Sequence, residues 1–204
     1  MSIQLEKNGS VNLVETSPGL QHIAVALGWS SPQGDEPIDL DASVFMLGEN
    51  GKVPEERFFV FYNNLESPDG AVVHKGDSLT GQESVGDDET IFVDLTKVDD
   101  RIRQLNFVVT IHESELRNQT FGMVPHAFIR IVDQGSLKEL ARFELKEIFS
   151  DETAVEFARL VRKEKGWKFQ AIGVGSNLGL KDLVEQFCAE AEPSETQAEQ
   201  SVNE

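Results

Sequence analysis

The chain has 204 residues and one cysteine, Cys188, so it is long enough to bury a substantial core but cannot form an intramolecular disulfide. Its net charge of −18, without visible clusters of Lys and Arg, argues against a nucleic-acid-binding protein. Because there is no signal-peptide pattern and no run of about 18 apolar residues, we expect a cytoplasmic protein without direct membrane insertion.

Short runs rich in Val, Ile, Phe and Thr, separated by Gly, Pro, Asn and Asp, follow one another along most of the chain. This pattern is typical of an all-β domain. In the stretch around residues 39–45 apolar and polar residues alternate, which predicts a strand with Asp39, Asp41 and Ser43 on one face. The predicted strands are 10–15, 21–29, 40–47, 57–62, 90–95, 104–112, 126–133 and 138–145.

Two helices are predicted near the C-terminus, with a strand at 167–174 between them. The first begins after Ser150, ends at Gly166 and carries an apolar stripe at i, i+3, i+4 and i+7. The second covers about 179–189 with the same spacing. Both stripes are expected to face the core. Residues 189–204 are acidic and polar and lack aromatic residues, so a disordered tail is predicted.

The negative charge is concentrated in loops. Residues 35–41 and 66–89 together hold eleven acids against one lysine, which is −10 of the net −18. Two carboxylates about 5 Å apart repel by roughly 3 kcal/mol at an effective dielectric constant of 20. Several such pairs would consume most of a domain's stability, so the cluster must face water, take up protons or bind a cation. A solvated acidic surface remains an alternative.

The residue types favour calcium, which takes six to eight oxygen ligands from carboxylates, amides and carbonyls. Zinc would need Cys or clustered His, and the four histidines are scattered, with only His74 inside the acidic loops. Residues 39–43 resemble the start of an EF-hand loop. However, Val44 occupies the position where the EF-hand motif needs Gly, and no helix is predicted before residue 39. An EF-hand is therefore rejected.

Several sequence stretches resemble the signatures of the tellurium-resistance TerD family. The similarity runs from about residue 1 to 187 with the motifs in order. The resemblance implies a mainly β fold, namely a two-sheet antiparallel β-sandwich. Together with the two predicted C-terminal α-helices, this sandwich forms the predicted domain, residues 1–188. It also implies calcium binding and a role in resistance to tellurite and other chemical stress. The stretches are Gly28-Trp29, 39–43, 61–65, 74–77, 86–89, 108–112 and 127–130.

The resemblance also implies the site residues and partners. Members often carry Asp-Phe-Asp-Leu-Asp where this chain has Pro37-Ile38-Asp39-Leu40-Asp41, and the loop 81–86 is longer and less acidic than usual. We therefore expect one calcium site and leave a second open. Calcium, other TerD-like proteins and a TerC-like membrane protein are the implied partners, the last placing the protein at the periphery of the inner membrane. The implied metal ligands are Asp39, Asp41, Asn63, Asn64, Asp77, Asp87, Asp88 and Glu89.

Two other functions are less well supported by the sequence. A metal-assisted hydrolase would use a bound ion to activate water, with His74 or Glu89 as the base, but no recognisable catalytic motif accompanies them. The glycine-rich stretch 173–179 follows a strand and precedes a helix, yet its spacing is wrong for a dinucleotide fingerprint. We interpret it as a connector and predict a binding protein, not an enzyme.

Overall fold

The computed structural model describes residues 2–30, 37–77, 87–146 and 149–188. Within these ranges two six-stranded sheets enclose one apolar core, which confirms the predicted mainly β, two-sheet sandwich. In spatial order sheet A consists of β1 (Ile3–Leu5), β10 (Lys138–Glu144), β9 (His126–Asp133), β3 (His22–Ser30), β7 (Glu89–Asp94) and β6 (Val72–Asp77). Sheet B consists of β2 (Ser10–Asn12), β12 (Gly166–Ser176), β11 (Ala154–Lys163), β8 (Gln104–Ile111), β4 (Leu40–Leu47) and β5 (Phe59–Val60).

Short helical segments join these strands. Every strand pair in the described ranges is antiparallel except β1 with β10. None of the helices in those ranges combines the length and the apolar character that crossing a membrane requires. The α-helices are α1 (Leu13–Thr16), α2 (Ser114–Arg117) and α3 (Leu180–Cys188), and single 3₁₀ turns lie at Glu56–Phe58 and Phe121–Met123.

Strand β4 follows the predicted alternation. Leu40, Ala42 and Val44 are buried and belong to the apolar core. Phe45 faces the other side of sheet B, where its ring lies 4.3 Å from that of Phe59 and 4.7 Å from that of Phe187 in α3. Sheet B is therefore covered on both faces at β4, which explains why β4 and its neighbour β8 are almost entirely buried.

The first of the two predicted C-terminal helices is wrong. Residues 154–163 form β11, which pairs with β8 on one side and β12 on the other. Both registers shift between Glu156 and Ala158: Phe157 is an extra residue relative to β8, whereas two residues of β12, Ile172 and Gly173, stand opposite it. The bulge changes the phase of the alternation, so the buried positions imitate the spacing of a helix.

The second predicted helix is confirmed as α3, and the predicted strand at 167–174 is confirmed as part of β12. Leu183 is buried, and Leu180, Val184 and Phe187 pack against the core, as the stripe predicts. The predicted disordered tail, residues 189–204, lies outside the described residues.

The remaining strand predictions were mostly confirmed, with differences at short elements. The predicted strand 10–15 is divided between β2 and α1, and within 57–62 only β5 pairs as a strand. The predicted long loop 63–89 contains β6, whose buried Val72 and His74 alternate with more exposed neighbours. Strand β6 has six residues, and so short a pattern in the sequence does not distinguish a strand from a loop.

Candidate functional site at one end of the sandwich

Four strand ends meet at Glu89, the first residue of β7. Within sheet A, Glu89 pairs with Leu27 near the end of β3 and with Asp77 at the end of β6. Across the sandwich, its Oε2 accepts a hydrogen bond of 2.6 Å from the backbone N–H of Ala42, near the start of β4. We call this end of the molecule, where β3 and β6 finish and β4 and β7 begin, the acidic end.

Glu89 and His74 lie between the two sheets, with 3% and 4% of their surfaces exposed. The Nδ1 atom of His74 accepts a hydrogen bond of 3.0 Å from Gly76 N–H, so the ring proton is on Nε2. Nε2 lies 3.2 Å from the carbonyl oxygen of Ala42 and 3.6 Å from Oε2 of Glu89. Gly76 has φ +76°, a backbone conformation that favours glycine, and this turns its N–H back towards the ring. Both nitrogens of His74 are thus engaged.

Asp87 is neutralised by an arginine from β9, which lies on the other side of β3 in sheet A. Nε and Nη2 of Arg130 donate to the two carboxylate oxygens at 2.9 and 2.6 Å, in the bidentate geometry that arginine prefers. Arg130 also donates to Glu139 at 3.1 Å. The hydrogen bonds to Asp87 raise the pKa of the Arg130 guanidinium above its ordinary value. The Asp87 carboxylate therefore has an internal cation as its partner.

Asp88, the next residue, is bound by the backbone. Its Oδ2 accepts a hydrogen bond of 2.7 Å from Trp29 N–H, and its own N–H donates to Leu27 O. Burial raises the pKa of the Asp88 carboxyl, the Trp29 hydrogen bond lowers it in part, and the nearby charge of Asp87 raises it further. The net rise means that negative charge is costly at this position.

Asp39 and Asp41 lie at the start of β4. Asp39 is exposed and directly precedes β4, with its carbonyl accepting from His112 N–H at 2.8 Å. Asp41 faces the outer side of sheet B, where its Oδ2 lies 3.2 Å from Nδ1 of His112. It lines a cleft between the end of β8 and the start of α3.

The two asparagines shape a turn at the edge of sheet B. Phe61 and Asn64 exchange backbone hydrogen bonds of 3.0 and 2.9 Å. The side-chain amide of Asn64 donates to the carbonyls of Arg57 and Phe59 at 3.1 and 2.6 Å. Asn63 lies exposed within this turn. The hydrogen bonds of the Asn64 Nδ2 group therefore stabilise the turn that follows β5.

The eight residues implied as metal ligands thus take different positions. The structure brings Asp87, Asp88, Glu89 and the backbone of Asp77 to the acidic end, whereas Asp41 faces the outer side of sheet B. Within residues 2–30, 37–77, 87–146 and 149–188, no three His, Cys, Asp or Glu side chains are grouped so that they could hold a metal ion. The side chain of Asp77 and residues 78–86 lie outside the described part, so the ligand set stays a prediction.

Arg130 is the site residue that sequence reasoning missed. It lies in the stretch 127–130 that carries part of the family resemblance, but its partner Asp87 is 43 residues away. The available signal was a single arginine within an otherwise apolar strand. Such a residue needs a carboxylate partner when it is partly buried.

Comparison with known proteins identifies the family. The sequence pattern of the TerD domain matches residues 1–187. The chain belongs to the TerD domain family. This confirms the resemblance seen in the sequence, and the match spans both sheets and nearly all of α3.

Relatives in the TerD family carry names that refer to tellurium resistance and stress. The tellurium resistance protein TerD of Alcaligenes sp is 45% identical over 188 residues, covering 92% of this chain and 97% of its own. The general stress protein 16U of Bacillus subtilis is 44% identical over 189 residues, with the coverage 92% and 97%. The crystal structure of a TerD homologue from Streptomyces coelicolor A3(2) superposes with a TM-score of 0.62 at 24% identity, covering 81% of this chain and 95% of that one. This last likeness concerns the fold.

Proposed function

We propose that this TerD-family protein binds calcium at the acidic end and serves as a signalling or scaffolding module in resistance to tellurite and other chemical stress. The observation that carries the proposal is the meeting of four strand ends at Glu89, with Asp87 and Asp88 beside it. The chain connects β3 to β4 and β6 to β7 at this end, through residues 31–39 and 78–88. The relatives' names supply the link to tellurium and stress.

The donor chemistry at the acidic end fits a hard divalent cation. Asp39 and Asp88 offer carboxylate oxygens, and neighbouring carbonyls add further oxygen donors. The one histidine there, His74, has both ring nitrogens engaged with the backbone, so it does not favour a softer metal. Asp87 already has Arg130 as its counter-ion, which supports one ion more than two. A bound ion would supply positive charge where the pKa of Asp88 indicates that negative charge is costly.

The same geometry supports a binding role more than a hydrolase. A general base must reach the proton that it abstracts. The two candidates, His74 and Glu89, are almost fully buried and hydrogen-bonded to backbone groups. We therefore place the protein among binding proteins, in the cytoplasm, where it would meet TerD-like partners and a TerC-like membrane protein at the periphery of the inner membrane.

Isothermal titration of the full chain with calcium and with magnesium tests the ion site. We expect calcium to bind, to be preferred over magnesium, and to raise the melting temperature because it binds only the folded state. An absence of heat at millimolar calcium would defeat the proposal. Asp88→Asn keeps an acceptor for Trp29 N–H and removes the charge, so it should weaken calcium binding. Glu164→Gln changes the same charge at the exposed turn between β11 and β12, the opposite end of sheet B, and should not.

The docking role needs a separate measurement. The tagged protein should recover a TerC-like partner from solubilised membranes in calcium and lose it in chelator. Equal recovery in both conditions would contradict calcium-dependent docking while leaving the ion site standing.

A further inference from the structure

Two adjoining hollows lie on the outer side of sheet B. One, of about 630 Å³, runs between the segment that follows β5 and helix α3. The other, of about 510 Å³, lies between α2 and the start of α3. Tyr62, Leu180 and Lys181 line both. We call the combined surface the Tyr62 groove.

The first hollow has a rigid aromatic wall. The rings of Phe45 and Phe59 stack at 4.3 Å, and those of Phe59 and Phe61 at 4.5 Å. Tyr62 continues the series edge-on at 5.1 Å from Phe61 and leaves 48% of its surface exposed. Because the wall is fixed by a fully buried ring at its base, an apolar side chain could pack on it at little cost in ordering the protein.

The rim of the groove is strongly negative. Among the described residues that line it, Lys181 carries the one ammonium group, which lies 3.9 Å from Glu185. Glu113 pairs with Arg117 at 3.4 Å and Asp41 lies 3.2 Å from His112, whereas within the described part of the chain Glu56 and Glu115 form no ion pair. Burial raises the pKa of the Cys188 thiol at one end of the groove, and the charge of Glu56 raises it further. The six carboxylates that line the groove are Asp41, Glu56, Glu113, Glu115, Asp182 and Glu185.

The chain's own undescribed segments do not complement this surface. Residues 31–36, 78–86, 147–148 and 189–204 contain no Lys, no Arg and no aromatic residue. The segment that follows α3 directly, 189–204, is acidic and would be repelled by the rim. An occupant with the complementary charge must therefore come from another molecule.

We propose that the Tyr62 groove docks a segment of a partner protein in which a bulky apolar side chain is flanked by lysine or arginine. The apolar side chain packs against Tyr62 and Val184, and the flanking cations lie near the carboxylates of α2 and α3. This surface shares Asp41 with the implied ligand set but uses none of Asp87, Asp88 and Glu89 at the acidic end, where calcium is proposed to bind.

Three synthetic peptides test the proposal on the full chain. They carry the cores Lys-Leu-Trp-Lys, Glu-Leu-Trp-Glu and Lys-Ser-Gly-Lys between glycines. Amide signals in two-dimensional NMR spectra and the rate at which iodoacetamide alkylates Cys188 report binding. The first peptide should shift signals of residues 61–65 and 180–185 saturably and slow the alkylation, with an effect that falls as salt rises. The other two should do neither at the same concentration.

Variants locate the contact. Tyr62→Ser should weaken binding of the first peptide by about tenfold, the usual scale for losing an aromatic anchor. Glu115→Lys changes an exposed residue, keeps the aromatic wall and should weaken binding as well, so the proposal does not depend on one variant folding. Leu137→Ser alters an exposed apolar residue on the turn between β9 and β10 and should leave binding unchanged.

Several results would overturn the inference. These are no saturable shift with the first peptide, equal binding of the acidic peptide, or unchanged binding by Tyr62→Ser and Glu115→Lys. Sedimentation that shows self-association lost in Tyr62→Ser would assign the groove to a second copy of this chain. Release of signals from residues 189–204 on adding the peptide would assign it to the chain's own C-terminal segment.

Discussion

The outer faces of the two sheets are completed in different ways. Sheet A carries ion pairs that run across β9 and β10 to the start of β7. Sheet B carries aromatic rings covered by α3, with a negative groove beside them. The first surface satisfies its charges internally, whereas the second leaves charge and apolar area for another molecule. The ion-pair ladder consists of Asp87, Arg130, Glu139, Arg142, Glu144 and His126.

The largest expected effect is on the aromatic side. Phe45→Ala removes a fully buried ring that contacts Phe59 and Phe187, and should lower the free energy of unfolding by about 3–5 kcal/mol. Phe92→Ala is the matched change on the outer face of sheet A, where the ring is half-exposed beneath Lys75. It should cost about 1–2 kcal/mol. Urea unfolding measures both, and equal losses would remove the contrast between the faces.

The ladder should show coupling of intermediate size. A double-mutant cycle with Asp87→Asn and Arg130→Met is expected to give about 1.5–3 kcal/mol, since the pair is bidentate and largely shielded from water. The control cycle uses Glu6→Gln and Lys146→Met, a pair whose side chains are mostly exposed. It should give no more than about 1 kcal/mol. A coupling for Asp87 and Arg130 as small as the control would mean that the ladder adds little stability.

The smallest expected effect is a pH dependence from Glu144. Burial alone would raise the pKa of Glu144, but the hydrogen bond from Arg142 and the charges of Arg142 and His126 bring it below the ordinary value of 4.5. Folding therefore favours the ionised carboxylate, and its stabilisation is present above about pH 4.5 and lost as the pH falls further. In thermal unfolding between pH 6 and 3, the melting temperature of Glu144→Gln should therefore fall less steeply with decreasing pH than that of the unchanged protein. If the stability of Glu144→Gln and of the unchanged protein fell equally with pH, Glu144 would not be the source of this pH dependence.

Local sequence patterns predict a strand correctly where its pairing is regular. In β4 the strict alternation predicted both the strand and its two faces, since side-chain direction in a strand depends only on parity. In β11 the same reasoning failed because the register shifts at Phe157 in both pairs, with the extra residue in β11 relative to β8 and in β12 relative to β11. A bulge is decided by pairing with other strands, and its signature within one strand resembles a helix.

The acidic end shows the same division. The sequence alone determined that the negative charge is concentrated in two loops, that β4 has a polar and an apolar face, and that α3 has one apolar stripe. Only the tertiary structure decided which acids are already neutralised, because Arg130 reaches Asp87 through the pairing of β9 with β3 and of β3 with β7. It likewise placed Glu89 between the sheets, against Ala42 of the opposite one. Hydrogen bonds and charge pairing act over a few ångströms in space, irrespective of separation along the chain, so composition locates the charge and the fold assigns its partners.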